Sequence, residues 1–552
     1  MLKYQINDTD LDRVFETVST MYEAAEYLLE HVAIESTVKQ MTGQMDLLLQ
    51  QLSQFLYDRL GHDTDCSVLK LLQCLKTSIL RVHINAHKTE WVCGKVQYEV
   101  IPIIEEIYHY SYFWFYASRG ETQMQEYLNI LPTLCSNQYI CAAEESGVYK
   151  YDIAFVILAY NNLNYTKWCV ESLLRDIPKD LNFELILVNH GSTDGTQEYF
   201  ESIHPTKQID VAVNGVGFHL AERVIESEYM LGISNDVVIG KNVVKNLLTC
   251  IRSDSKIAYV VPTTPNIANF QSISASYKDL SEMYAFSAAN NISDPYRWEQ
   301  RVRLCDPIAI LRSCYFFGKN GIYNNRLFGD GNYLAFPDDR LSLILRRKGY
   351  KLLLAKDAYC HHFGSVTLKS DIQKVTEEKL YLEGRRAFYS DFGVDPWGTG
   401  FCFDRVFLQC VIQESHQHQR ILGINCGLGS NSLKIKEQFK EYYHNVDVEL
   451  VNVTDEAVFL PDLSGISDYA YLCTSMDDFK HCISGGAFHY IVWENAFLSG
   501  ADFSSLLSDI LSVLTKDGVL MIKQNEKNQS FLASYQQCHI GDGWYVLKDI
   551  NK

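Results

Sequence analysis

The chain has 552 residues, too many for a single hydrophobic core, and this length predicts two to four domains. Its formal net charge of −19 argues against a nucleic-acid backbone as the main partner. The 16 cysteines are scattered without a CxxC pair, the N-terminus lacks the apolar segment of a signal peptide, and no apolar run approaches the roughly 18 residues of a membrane span. We therefore expect a soluble protein of the cytoplasm with reduced thiols.

The first 150 residues carry the spacing of amphipathic helices. Apolar residues recur three or four positions apart between Leu11 and Ala25, and the pattern returns between Leu48 and Leu56. We find no repeat of fixed length and no chemical motif in this segment. Residues 1–150 are therefore predicted to form a helical domain for docking or interaction.

From residue 151 onward, short apolar segments alternate with helix-like segments. The strand candidates are YDIAFVILAY, FELILVNHGSTDGT, YMLGISNDVVIG and KIAYVVP. This alternation predicts a parallel α/β sheet, in which ligands bind at the carboxyl ends of the strands. We predict an α/β domain at residues 151–395, followed by a connector at 396–419.

Polar side chains follow the first two strands of this domain. Tyr160 and Asn161 end the first strand and would suit the edge of a base or a ribose. The turn after the second strand contains Asn189 and Asp194, and taken alone it is a small polar turn that begins a helix. These strand ends predict a binding region without defining its chemistry.

Asn235 and Asp236 interrupt the apolar segment GISNDVVIG where a strand should be ending. Two explanations are open at this point. The pair could form a turn that satisfies its own backbone, or it could belong to a metal or phosphate site.

Farther along, Asp338 and Asp339 begin a helical segment rich in arginine. Capping and the helix dipole would also explain carboxylates at that position. His361 and His362 then precede a Gly-Ser turn, and adjacent histidines usually point in different directions, so at most one is expected to serve a metal.

In combination and in order, these motifs resemble the family 2 glycosyltransferases of the GT-A fold. The motifs that carry the resemblance are AYNN, NHGSTDGT, SNDV, FPDDRLS, RRKGY and HHFGS, all between residues 151 and 395. The resemblance implies a metal-dependent, inverting transferase of hexosyl or N-acetylhexosaminyl groups. Its donor would be a nucleotide-diphosphate sugar, with a UDP-sugar favoured, and its acceptor a hydroxyl group.

The resemblance also implies roles for individual residues. Asp236 would bind Mn²⁺ or Mg²⁺ that bridges to the donor diphosphate, and His361 or His362 would complete the ligands. Asp338 would be the general base that removes the acceptor proton while the acceptor oxygen attacks the anomeric carbon. The implied donor-binding set is Tyr160, Asn161, Asn189, Asp194, Asn235 and Asp236.

The acceptor side is assigned to Asp339, Trp298 and Arg303, and the two arginines of RRKGY are expected to pair with acidic neighbours. Three positions depart from the family pattern. Asn189 stands where relatives have an aspartate that contacts the base, Pro337 replaces an acidic residue before Asp338, and Arg340 replaces a third acid. The catalytic and metal-binding carboxylates are retained, so an active enzyme is expected.

A second α/β pattern begins near residue 420. The strand and glycine loop ILGINCGLGSNS and the later strand KDGVLMIKQ resemble the methyltransferases that use S-adenosylmethionine. Asn452 stands where that family has the acid that binds the ribose, and a glycine loop alone is weak evidence. We therefore expect residues 420–552 to form a Rossmann-like, methyltransferase-like domain that is non-catalytic and serves acceptor binding or assembly.

The expected fold is thus multidomain: a helical N-terminal domain, a central α/β GT-A domain and a C-terminal α/β domain. Chains with this combination resemble bacterial enzymes that modify flagellin or surface glycans, which implies a protein or glycan acceptor. Two alternatives stay open, a bifunctional glycosyltransferase and methyltransferase, and a catalytically inactive relative that binds glycan or protein. A nucleotidyltransferase fits less well because AYNNLNYTKW lacks a glycine-rich, basic first loop.

Overall fold

The computed structural model describes residues 6–60, 67–211, 217–322, 336–364, 374–398, 400–409, 411–498 and 500–548. Within these ranges no helix is both long enough and apolar enough to cross a membrane. The chain divides into two compact units, the first made of residues 1–240, 307–333 and 361–372, the second of residues 241–306, 334–360 and 373–552. The central segment 151–395 therefore contributes to both units.

The N-terminal segment is helical, which confirms the prediction. Its helices are α1 (Asp8–Glu30), α2 (Glu35–Leu60), α3 (Ser67–Ile84), α4 (Thr89–Lys95), α5 (Ile101–Phe115), α6 (Glu121–Cys135) and α7 (Gln138–Ser146), with a π-helical turn at Val96–Val100 and a 3-10 turn at Ala117–Arg119. The predicted apolar face of α1 is buried at Leu11, Val14 and Val18. Helix α5 is apolar over most of its surface and is contacted by both α1 and α3.

The central segment alternates strands and helices as predicted. Its first part contains β1 (Tyr151–Ala159), α8 (Leu163–Asp176), β2 (Phe183–Asn189), α9 (Thr196–Ile203), β3 (Lys207–Asp210), α10 (Gly217–Val224), β4 (Ser227–Ser234) and β5 (Val237–Val238). Its second part contains α11 (Val243–Arg252), β6 (Ile257–Thr263), α12 (Leu280–Asn290), a 3-10 turn (Pro295–Arg297), β7 (Trp298–Arg301), β8 (Ile308–Arg312), α13 (Ser313–Phe317), α14 (Pro337–Arg347), β9 (Lys351–Tyr359), β10 (His361–His362) and α15 (Lys374–Phe392).

In the first unit the strands lie in the order β3-β2-β1-β4-β8. Strands β1 to β4 are parallel, and β8 pairs with β4 in the antiparallel direction. Ala159 at the end of β1 lies opposite Asn189, and Leu158 lies opposite Ser234 of β4. The turns after β1, β2 and β4 therefore meet at one edge of the sheet, the edge at which α/β proteins bind ligands.

In the second unit β9 lies between β6, its parallel neighbour, and β7, its antiparallel neighbour. The C-terminal part of this unit contains a 3-10 turn (Arg405–Leu408), β11 (Gln419–Ile424), α16 (Ser430–Tyr443), β12 (Val448–Thr454), a 3-10 turn (Ala457–Phe459), α17 (Leu460–Ser464), β13 (Tyr469–Leu472), α18 (Met476–Ile483), β14 (Phe488–Trp493), α19 (Phe503–Ser512), β15 (Leu514–Lys523), α20 (Gln529–Leu532), a 3-10 turn (Ala533–Cys538), β16 (His539–Gly541) and β17 (Trp544–Lys548).

These C-terminal strands form a seven-stranded sheet in the order β13-β12-β11-β14-β15-β17-β16. The first five strands are parallel, and β17 is antiparallel to both of its neighbours. The strand order reverses between β11 and β14, which makes this a doubly wound sheet with its switch point at the glycine loop after β11. The α/β class predicted for this region is confirmed.

One hydrophobic core runs through several parts of the second unit. It joins Leu343 of α14, Phe401 and Phe403 of the connector, and Leu428 and Leu463 of the C-terminal region. A separate core fills the opposite face of the C-terminal sheet. Residues 400–407 of the connector are therefore packed into the unit, whereas most of residues 413–418 are exposed.

Candidate functional site

Asn235 and Asp236 form the turn between β4 and β5, directly after a strand that has neighbours on both sides. Both side chains are buried. The Asn235 amide nitrogen donates to the Asn161 carbonyl oxygen at 3.3 Å and to Thr166 Oγ1 at 3.0 Å. The amide is thereby used to hold the turns after β1 and β4 together, while the carboxylate of Asp236 stands at the ligand-binding edge of the sheet.

The two histidines occupy β10, which pairs with β5 in the antiparallel direction. His362 lies opposite Val237, and its Nε2 is 3.5 Å from Oδ2 of Asp236. His361 instead packs its ring edge-on against Phe363, with 4.5 Å between ring centroids. Burial is the main cause that lowers the pKa of His361. We call Asn235, Asp236 and His362 the β4 cluster. Ser365, the last residue of the HHFGS motif, lies outside the described residues.

The β4 cluster offers one carboxylate and one imidazole to a cation. Within the described part of the chain, His, Cys, Asp and Glu residues form no group of three or more that could hold a metal. A single carboxylate together with substrate phosphate oxygens and water is, however, a usual environment for Mg²⁺, and carboxylates also suit Mn²⁺. The donor set therefore fits a cation that is bound jointly with a diphosphate.

The turns after β1 and β2 are tied to each other by side-chain hydrogen bonds. Ser192 Oγ accepts from the Asn161 backbone N–H at 2.8 Å, and Asn161 Oδ1 accepts from the Thr193 N–H at 2.9 Å. Asp194 accepts from the N–H of Leu163, the first residue of α8, at 2.8 Å. Asn161 and the next residue, Asn162, have φ angles of 53° and 61°, a left-handed conformation that asparagine tolerates better than most residues. The motif residues thus fix the backbone of the two turns at the ligand-binding edge of the sheet. Tyr160, next to them, is half-buried.

Asn189 is only 2% exposed at the end of β2. Its amide nitrogen donates to Oδ1 of Asp210 at 3.1 Å, and its Oδ1 accepts from the Ser192 N–H at 2.9 Å. Asp210 is also bound by Lys95 at 2.5 Å and by Arg81 at 3.1 Å, which come from the helical segment. Burial alone would raise the pKa of Asp210, but Lys95 and Arg81 lower it below its usual value.

A second group, here called the acid cluster, consists of Asp306, Asp338, Asp339 and Arg303 in the second unit. Asp338 and Asp339 lie in the first turn of α14, as predicted. Burial and the neighbouring carboxyl of Asp306, with which Asp338 shares a hydrogen bond, raise the pKa of Asp338 well above its usual range. Burial also raises the pKa of Asp306. The negative charge of one carboxyl therefore opposes ionisation of the other.

Arg303 follows β7 and reaches the same helix. Its Nε lies 2.6 Å from Oδ1 of Asp339. Burial, opposed by the charge of Arg303, raises the pKa of Asp339 to about 6. The structure therefore brings together three of the predicted residues, Arg303, Asp338 and Asp339.

Trp298 is buried, and its indole N–H donates to Oδ2 of Asp357 at 2.9 Å. Its indole thus ties β7 to β9, and the acceptor role of Trp298 stays a prediction.

Sequence reasoning missed Asp306 and Asp210. Neither belongs to a motif, and each is an isolated acid next to apolar residues, in KQIDVAV and LCDPIAIL. The signal that could have indicated Asp210 is its position at the carboxyl end of a third short strand, KQID, at the same edge as the other turns. For Asp306 we find no comparable sequence signal.

In the C-terminal region, the backbone of the connector lies against the glycine loop after β11. Gly400 of the connector lies so close to this loop that a Cβ there would be 2.4 Å from the Leu428 nitrogen and 2.6 Å from the Cys426 oxygen. Ser430 Oγ donates to the Gly400 carbonyl oxygen at 2.5 Å. Asn452 is buried and bonded to Ser432 and Ser467, at 2.9 and 2.8 Å. The connector backbone thus lies directly against the glycine loop.

Comparison with family models matches residues 154–298 to the family described as Glycosyl transferase family 2. The matched part contains the turns after β1, β2 and β4 together with Asp236. Comparison with curated proteins found no match.

Among solved structures the chain is similar to three metal-bound or nucleotide-bound transferases. They are GalNAc-T7 with UDP, GalNAc and Mn²⁺ (12% identity, 38% of this chain and 44% of that one, TM-score 0.30), the mannosyltransferase PcManGT from Pyrobaculum calidifontis in complex with GDP-Man and Mn²⁺ (14%, 44% and 67%, 0.27) and glucosyl-3-phosphoglycerate synthase from Mycobacterium tuberculosis in complex with Mg²⁺ and UDP (13%, 47% and 85%, 0.28). The chain spans less than half of the GalNAc-T7 chain. Identities and TM-scores this low support no conclusion about activity.

Proposed function

We propose that this chain is a metal-dependent glycosyltransferase that moves a sugar from a nucleotide-diphosphate donor to a hydroxyl group of a protein or glycan, with inversion at the anomeric carbon. The observation that carries the proposal is the family 2 match over residues 154–298, within which Asp236 stands at the ligand-binding edge of the sheet.

The donor is assigned to the turns after β1, β2 and β4. Asp236 and His362 would hold Mn²⁺ or Mg²⁺ together with the diphosphate, and a bound cation neutralises charge on the leaving nucleoside diphosphate. The turns fastened by Asn161 and Asp194 keep the backbone of this edge in place for the nucleotide. A UDP-sugar is the proposed donor.

The base is assigned to the acid cluster. The acceptor hydroxyl gives its proton to Asp338, and its oxygen forms a bond to the anomeric carbon. The bond from that carbon to the diphosphate oxygen breaks, and its electron pair leaves with the nucleoside diphosphate. The raised pKa of Asp338 makes its ionised form a stronger base than an ordinary carboxylate. Asp339 and Arg303 would orient the acceptor.

No observation favours a second activity in the C-terminal region. The connector backbone against the glycine loop and the buried amide of Asn452 both count against binding of S-adenosylmethionine.

A nucleotide panel tests the donor assignment. We expect UDP, or one of GDP, CDP and dTDP, to raise the melting temperature of the chain in a Mn²⁺-dependent manner, since a ligand that binds the native state stabilises it by mass action. Asp236→Asn and His362→Ala should remove this shift. His361→Ala is the matched control, because it removes the adjacent histidine that packs on Phe363, and it should retain the shift. A wild-type chain that responds to no nucleotide would contradict the proposal.

The base assignment has a separate test. Asp338→Asn should abolish sugar transfer while leaving the nucleotide-dependent shift in place. Loss of nucleotide binding in this variant, or full transfer activity, would contradict the role given to Asp338.

A further inference from the structure

The two arginines of the RRKGY motif lie in the last turn of α14, the helix that begins with the acidic pair. Both are bound by one carboxylate from the C-terminal region, which confirms that they pair with acids. Arg346 Nη2 lies 3.0 Å from Asp462 Oδ1, and Arg347 places Nε and Nη2 at 3.0 and 2.9 Å from Asp462 Oδ2. The side chains of Arg346 and Asp462 are 1% and 0% exposed.

Burying these charged groups costs free energy of desolvation. Removing charged groups from water is offset only by good geometry and further hydrogen bonds, and loss of one partner leaves an uncompensated charge. Arg346 Nη1 also donates to the Asp462 carbonyl oxygen at 3.4 Å, which adds a hydrogen bond to the ion pair. Gly465, just beyond Asp462, lies so near α14 that a Cβ would be 3.0 Å from the Arg346 carbonyl. The carboxyl end of α14 is therefore held in one place by α17 and the residues after it.

Strand β7, which precedes Arg303, is held by the same region through a different helix. Lys434 of α16 lies 2.9 Å from Glu299, and Glu437 accepts from the backbone N–H of Gln300 at 3.1 Å. Glu441, one turn later, binds Lys356 of β9 at 2.6 Å. Asp338 and Asp339 belong to α14, and Arg303 follows β7. Both elements are contacted by the C-terminal region.

Apolar packing agrees with the polar contacts. Phe336, which directly precedes α14, and Leu343 within it belong to the same core as Phe401, Leu433 and Leu463. Within the described residues α14 also contacts β9, so the C-terminal region is one of two supports that fix its position.

We propose that the C-terminal sheet domain acts as a positioning support for the acid cluster, with Asp462 as the residue that sets the placement of α14. Its glycine loop, contacted by the connector at Gly400, serves this support and does not bind a cofactor. The inference rests on the proposed function only where it names Asp338 as the base. Asp462 is a positioning residue, since it acts through Arg346 and Arg347.

The test compares full-length variants at two matched arginines. Arg347→Gln removes a partly exposed arginine from Asp462, and Arg420→Gln removes an arginine of similar exposure that is paired with Glu449 at 2.7 Å within the C-terminal sheet. Asp462→Asn removes the carboxylate that pairs with both arginines, so its effect should be larger. If the Asp462→Asn variant fails to fold, Arg347→Gln still tests the proposal. We would measure kcat, donor KM, the Kd of the nucleoside diphosphate, and hydrogen exchange of residues 337–347.

For Arg347→Gln we expect kcat to fall about tenfold or more, because small displacements of a catalytic group cost factors of that size. The Kd of the nucleoside diphosphate should stay within about twofold, because no donor contact is assigned to α14; both figures are order-of-magnitude expectations. Exchange in residues 337–347 should become faster. Arg420→Gln should change none of these quantities.

Unchanged kcat and unchanged exchange in Arg347→Gln would overturn the inference, and so would a thermal shift of the wild-type chain with S-adenosylmethionine. The exchange measurement keeps the inference separate from the proposed function. If the wild-type chain neither binds nucleotides nor transfers sugar, the proposed function fails, whereas faster exchange confined to residues 337–347 would still support the role of Asp462.

Discussion

The carboxyl pair Asp306 and Asp338 determines how the proposed transferase should respond to pH. A general base must be ionised, so transfer should increase as pH rises through the raised pKa of Asp338. Asp306→Asn removes the neighbouring charge, and its amide can donate to the Asp338 carboxylate. Both effects lower the pKa of Asp338. We therefore expect the acid limb of the pH profile of kcat to move to lower pH in this variant.

The measurement is kcat from pH 4 to pH 9 for the wild type and Asp306→Asn. A limb that stays in place, or moves to higher pH, would show that Asp306 does not control the ionisation of the base. The sequence alone could not provide this prediction, because Asp306 and Asp338 lie on different elements and their proximity depends on the tertiary fold.

Glu494 gives a pH prediction that concerns stability. It is buried after β14, where Asn431 donates to it at 2.8 Å, and burial is the main cause that raises its pKa to about 7. A carboxyl group whose pKa is raised in the folded state binds more protons there than in the unfolded chain. The stability that the protonated carboxyl contributes is fully present below about pH 4.5. It decreases as the pH rises towards about 7, and it is absent above that pH.

Glu494→Gln should remove this dependence. The free energy of unfolding of the wild type relative to the variant should therefore decrease between about pH 4.5 and pH 7, by at most about 3 kcal/mol. Urea unfolding at several pH values measures it. A difference that is independent of pH would mean that Glu494 ionises as it does in the unfolded chain.

At the scale of elements, α3 and α4 are fastened to β3 by a buried charge network. Lys95 binds both Glu99 and Asp210, at 2.9 and 2.5 Å, and all three side chains are buried. Lys95→Met would leave two buried carboxylates with less compensation, which typically costs roughly 3–5 kcal/mol. Chemical denaturation should therefore show a clear loss of stability.

The control for this variant is Lys39→Met, which breaks an exposed pair with Glu35 within α2. Exposed pairs contribute little, so its unfolding midpoint should match that of the wild type. Equal stability of Lys95→Met and Lys39→Met would refute the role of the network.

Gly400 tests the packing of the connector into the glycine loop. Its φ of +85° is unfavourable for alanine, and a Cβ would also overlap the Leu428 nitrogen. Gly147 at the end of α7 has a φ of +70° but open space around it. Gly147→Ala should therefore cost only the conformational strain, on the order of 1 kcal/mol, and Gly400→Ala should cost distinctly more. Similar unfolding midpoints for the two variants would show that the connector can move out of the loop.

Sequence patterns were sufficient for the elements themselves. Periodicity located α1 and part of α2. The change to an α/β pattern at Tyr151 coincides with the start of β1, and the strand near residue 420 begins at Gln419. The partners of these elements could not be predicted. Nothing in RRKGY indicates that its arginines bind Asp462, since a charged residue in a helix gives the same pattern whether it faces solvent or another element.

At the scale of the whole molecule, the units do not follow the expected segments. The strands of the central α/β segment divide between two compact units, and its second part shares a core with the C-terminal region. A sequence shows where the periodicity of apolar residues changes, but a compact unit is defined by contacts between residues far apart in the chain.

The packing of the connector bears on where a protease can cut. A linker between independent modules is normally the first place to be cleaved, because its backbone is exposed and can enter an active-site cleft in extended form. Here Phe401, Phe403 and Phe407, each a target for chymotrypsin, are at most 4% exposed. We expect residues 400–409 to survive brief digestion of the native chain, as judged by mass spectrometry of the fragments. Early cleavage after any of these phenylalanines would mean that the connector leaves its place in solution. If residues 400–409 remain uncleaved, a fragment designed for separate expression of residues 420–548 should include the connector as well.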